Sequence, residues 1–160
     1  MSMYYAALKA VHLLSLVAWV GGMYFALTCL RPALAPLDGP LRLRLMTDVL
    51  GRFFRVVAIA IGLLLVSGTW MLWSAMRVST TRGLAFNMPL DWLAMITLGV
   101  VMIAVFGHIR VNLYRRLQRA VQAQDWPAGA VVHGRIRTWV TLNLVIGVLV
   151  IVVMRLGAAG

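Results

Sequence analysis

The imidazole of His12 and the thioethers of Met71, Met88 and Met95 are the side chains of this 160-residue chain best suited to chemistry. Imidazole nitrogen and thioether sulfur are soft donors that suit Cu(I). The same two atom types make the His/Met axial pair of a haem iron. His12 stands inside a long apolar run, Lys9-Ala10-Val11-His12-Leu13-Leu14-Ser15-Leu16-Val17-Ala18-Trp19-Val20-Gly21-Gly22-Met23. At helical spacing His12, Ser15, Trp19, Gly22 and Met23 fall along one side, with Lys9 a turn away. Ionisable groups within a membrane helix are costly, so they tend to face the protein interior and to serve a function. Methionine is also a common gap-filler, so packing competes with ligation for each thioether.

Composition sets the stage for that histidine. The chain is 62% hydrophobic with a mean hydropathy of +0.92, too apolar for a soluble domain of this size. One all-α membrane domain over residues 1–160 is the economical reading. A formal charge of +11 could suggest nucleic acid, but the cations sit between apolar runs, the pattern that orients a membrane protein. No nucleic-acid partner is expected; membrane lipids are. The four acidic residues, Asp38, Asp48, Asp91 and Asp125, all lie outside helix centres, which argues against a carboxylate proton relay or paired-carboxylate hydrolysis. Cys29 is the only cysteine, so no internal disulfide can form. The first apolar run is too long for a signal h-region and is expected to be retained. With no Gly-rich phosphate loop, C-x-x-C, H-E-x-x-H or nucleophile elbow, no catalytic residue is assigned, and a non-enzyme is favoured.

Four spans must position the candidates, at about 4–30, 53–76, 90–109 and 136–156. Arg31-Pro32 closes the first. After the turn signal Asp38-Gly39-Pro40, Leu41, Leu45 and Val49 alternate with Arg42, Arg44 and Asp48, a pattern that fits a short interfacial helix before the second span and equally a plain loop. Ala58 and Gly62 offer a small-residue packing notch, and Trp70-Met71-Leu72-Trp73 an aromatic belt. A polar connection, 77–88, leads to Pro89 and Asp91 at the start of the third span. That span is expected to continue into water over 110–124, with Leu113, Leu117 and Val121 as its apolar stripe, until Trp126-Pro127 breaks it. In the fourth, Asn143 should hydrogen-bond a neighbouring helix.

The cations orient the bundle. Arg31, Arg42, Arg44, Arg52, Arg55, Arg110, Arg115, Arg116, Arg119, Arg135 and Arg137 belong to one side, against Lys9, Arg77, Arg82 and Arg155 on the other. The richer side is expected in the cytoplasm, with both termini periplasmic across the bacterial inner membrane. His12 then lies near the outer surface and His108 near the inner, roughly 20 Å apart in depth at ~1.5 Å per residue. That separation disfavours one haem clamped between them and leaves two separate sites open. His108 follows Gly107, which would admit a flat cofactor, or it simply bonds Asn112. His133 reads as solvated in a turn before the last span. Lys9 is expected to snorkel to the headgroups, and Trp19 to pack or to wall a pocket beside His12.

Lys9-x-x-His12, Trp19-x-Gly21-Gly22-Met23 and Leu30-Arg31-Pro32 resemble the first helix of bacterial CopD-like membrane proteins, the copper-resistance D group. Gly51-Arg52-Phe53-Phe54, Ser67-Gly68-Thr69-Trp70 and Asn143-Leu144-x-x-Gly147 extend the likeness over nearly the whole chain. The resemblance implies an inner-membrane protein of copper handling, with a periplasmic copper chaperone as its partner. A second resemblance, to the bacterial four-helix protoporphyrinogen oxidase, rests on His12, Trp19 and the His108 region, although that family would show Pro-Arg where this chain has Arg31-Pro32. It implies haem chemistry. Three readings follow: copper held by His12 with Met71, Met88 and Met95, supported by Lys9, Trp19 and Asn143; haem b at His12 or His108; and a metal-free structural subunit of a membrane complex.

Overall fold

In the computed structural model, which describes residues 3–83 and 85–157, four long helices carry the chain: α1 (Met3–Ala33), α2 (Gly39–Thr81), α3 (Leu90–Gln122) and α4 (Trp126–Gly157). No strand occurs among the described residues. Each helix is long and apolar enough to cross a bilayer. Short connections make consecutive helices antiparallel. α1 lies along α2 and α3 along α4, while α4 also touches α1 and α2. The face foreseen on α1 is the one that packs: Ser15, Trp19 and Met23 are buried, His12 and Gly22 partly so, and Lys9 is exposed.

Two expectations about the elements need correction. The helix expected between the first two spans begins at Gly39, but it is no separate element. It runs unbroken into the second span as one 43-residue helix, about 65 Å at ~1.5 Å per residue. No breaker interrupts it, and Leu43, Met46, Leu50, Phe54 and Val57 form a continuous buried seam at helical spacing. Leu41 and Leu45, read as the apolar face, are exposed. The last helix begins at Trp126, ten residues before the expected 136, so Trp126-Pro127 starts a helix rather than merely ending one. Asp125 explains the start: its Oδ1 accepts the backbone N–H of Ala128 at 3.0 Å, and proline is well tolerated in a first turn. His133 consequently lies inside α4 and is half-buried, not in a solvated turn.

The core extends into the arginine-rich end of the bundle. There α2, the continuation of α3 and the start of α4 pack Leu43, Leu113, Tyr114 and Leu117 together, and Arg44 stacks on Trp126 at 5.2 Å. Leu113 and Leu117 are buried as expected of the stripe, and Val121 packs against them. A π-turn over Ile109–Leu113 adds a residue to α3 and lets Leu113 and its neighbour Tyr114 both face inward. Above this collar an aromatic column joins three helices: Trp19 meets Phe106 at 6.2 Å, and Phe54 meets both Phe106 at 5.8 Å and Tyr114 at 5.2 Å. Trp19 therefore packs in the column, seven residues from His12.

The Ala58/Gly62 notch is unused by the described residues: both are exposed, and a Cβ added at Gly62 would meet nothing within 4 Å. The close approaches lie elsewhere. At Gly147 a Cβ would sit 2.9 Å from Val20 and 3.1 Å from Met102, where α4 meets α1 and α3. Gly147→Val is expected to lower the unfolding free energy in bicelles by about 1.5 kcal/mol, overpacking outweighing the gain in helix propensity.

Candidate functional site

His12 reaches α2 through one specific contact. Its Nδ1 lies 3.0 Å from the Ser67 hydroxyl oxygen. Ser67 is buried and has a single proton, which it donates to the Leu63 carbonyl at 2.6 Å. With the proton placed on that short bond, Ser67 accepts from the ring, an assignment that puts the hydrogen on Nδ1. Nε2 is left with its lone pair. A neutral imidazole fixed through one nitrogen is the state in which a metal-binding histidine works. Gly68 completes the seat: a Cβ there would lie 3.3 Å from His12 Cε1, so the ring rests against bare backbone.

The expected thioethers are less closely defined around this ring. Met71, half-buried, stands one turn beyond Ser67 on α2, where side chains four apart have Cβ atoms roughly 5–6 Å apart. Met95 on α3 is half-buried against the core. Met88 is exposed in the connection just before α3. The polar contact of His12 is to a hydroxyl, and no hydrogen bond ties it to a sulfur. This half of the bundle is loosely packed: from Leu90 to Val101 no residue of α3 is fully buried. Among the described residues no group of three or more His, Cys, Asp or Glu side chains that could hold a metal ion occurs.

His108 sits apart from this arrangement. It is exposed, with Nδ1 3.3 Å from the Asn112 amide and its ring 5.2 Å from Trp139. A Cβ added at Gly107 would meet nothing within 4 Å among the described residues. The Trp19–Phe106 contact sets the relative depth of α1 and α3, leaving nine residues of rise between the two histidines, or roughly 14 Å. That is less than the 20 Å expected from straight spans and still too far for one iron.

Asn143 is 1% exposed and donates from Nδ2 to the Met23 sulfur at 3.8 Å, which ties α4 to α1 as foreseen. Its Oδ1 has no protein partner. Met23 lies eleven residues inward of His12, so Asn143 supports the bundle centre rather than the His12 ring. Ser67 is the residue that sequence reasoning passed over. Its signal was one of the few hydroxyls, with Thr69, in an otherwise apolar run, but only the pairing of α1 with α2 gives that hydroxyl a task.

The family model of copper resistance protein D matches residues 47–156, more than half of the chain. The chain belongs to the copper resistance protein D family. The match includes Ser67, Gly68 and Asn143, while His12 precedes the matched residues. No curated protein and no solved structure matches the chain.

Proposed function

We propose that this multi-pass protein handles copper in the bacterial inner membrane, binding or passing on Cu(I) at the periplasmic half of the bundle. His12 Nε2 is the nitrogen donor, and Met71, Met88 and Met95 are the thioethers within reach of the same end. Both termini face the periplasm, following the distribution of the cations, and a periplasmic copper chaperone is the donor. The observation that carries this reading is the 3.0 Å contact of His12 Nδ1 with Ser67 in a chain of the copper resistance protein D family; with the hydrogen on Nδ1, Nε2 offers its lone pair.

Ser67 acts as a positioning residue. Ser67→Ala is expected to weaken Cu(I) binding by about tenfold, by releasing the ring and its tautomer, and competition with a chromophoric Cu(I) chelator measures it. Metal and pigment analysis of the purified protein tests the function itself. Copper at about one per chain after Cu(I) loading, with no Soret band, is the expected outcome. A Soret band with reduced α/β bands would move His12 to the haem reading, and neither signal would leave a structural subunit.

A further inference from the structure

At the arginine-rich end a cavity of about 430 Å³ opens between α2 and α3, lined by Arg52, Arg55, Arg110, Asp48 and Tyr114 among others. Three guanidinium groups face one carboxylate, so the cavity is an anion site by charge. The Tyr114 hydroxyl donates to the Thr47 carbonyl at 3.1 Å and Arg110 lies 5.2 Å from the Tyr114 ring, which braces the cavity floor. Its depth is defined by the sequence: the apolar run of α2 begins at Val56, after Arg55, and that of α3 ends at Ile109, before Arg110. The cavity thus lies where headgroup phosphates lie.

The surface above it suits the rest of a lipid. Arg52, Arg55, Ile59 and Leu63 follow one another at helical spacing on one face of α2. Ile59 and Leu63 are exposed large hydrophobics, so guanidinium groups give way to an apolar track directed into the bilayer. We propose that this cavity binds the phosphodiester headgroup of an anionic phospholipid, with an acyl chain lying along Ile59 and Leu63. A basic pocket between transmembrane helices is a recurring form of lipid recognition. The proposal is independent of the copper reading, because it uses the opposite end of the bundle.

Native mass spectrometry of the full chain, released from nanodiscs of mixed phosphatidylglycerol and phosphatidylcholine, tests it. The expected result is retained phosphatidylglycerol, at least fivefold over phosphatidylcholine, lost in the R52Q/R110Q variant and kept in R115Q/R116Q, whose arginines lie outside the cavity. Equal retention of both lipids by the wild-type protein would overturn the proposal, whether or not the variant folds. So would equal loss in the two variants, which would indicate surface charge alone. Displacement of the lipid by millimolar inorganic phosphate would also overturn it, making this a site for the free ion.

Discussion

His12→Ala is expected to reduce Cu(I) affinity by about a hundredfold, or about 2.7 kcal/mol, while His108→Ala changes it less than twofold. The difference follows from how the two rings are held. His12 is half-buried, its Nδ1 in contact with a buried serine, and it lies on the half of the bundle that also carries Met71 and Met95. His108 is exposed at the other end, occupied with Asn112 and tilted against Trp139. Removing the imidazole from that end of the bundle leaves thioethers alone, which are weak donors individually. Chelator competition on both variants, in the same bicelles, reads the split. Equal losses would mean that copper is held at neither ring specifically.

Gly51→Ala is expected to lower the unfolding free energy by about 2 kcal/mol, although alanine is the better helix former. A Cβ at Gly51 would collide with the Tyr114 hydroxyl, which is buried and bonded to Thr47. The ring cannot swing away freely, because Phe54 stands edge-on to it at 5.2 Å. Alanine therefore overpacks this joint and breaks a buried hydrogen bond. In a Tyr114→Phe background the obstructing hydroxyl is gone, and the same substitution should cost under ~1 kcal/mol. That non-additivity, measured by unfolding in bicelles, is the signature of the contact. Additive losses would place the cost in the α2 backbone instead.

Much of this was legible in the residues, for definite reasons. The buried side of α1 followed from a 3.6-residue period, and the apolar stripe Leu113, Leu117 and Val121 from the same rule. The length of α2 was not, because its first turns carry arginines on one face and an apolar seam on the other, a pattern that an interfacial helix shares. Only the collar formed by α3 and α4 shows which neighbour that seam meets. Trp126-Pro127 reads alike as a stop or a start, and the Asp125 cap decides it. At the site, His12 stood out as an ionisable group in an apolar run. Ser67 did not, since a hydroxyl within a helix usually bonds its own preceding turn. Ser67 does that too, and its short bond to Leu63 is what favours accepting from His12 over donating to it.

X-ray absorption at the copper edge of the Cu(I)-loaded protein tests the ligand assignment most directly. The account predicts the scattering of one imidazole together with sulfur at thioether distance, with the imidazole component absent from His12→Ala. Sulfur scattering without imidazole in the wild-type protein, or an imidazole signal that survives in His12→Ala, would contradict it.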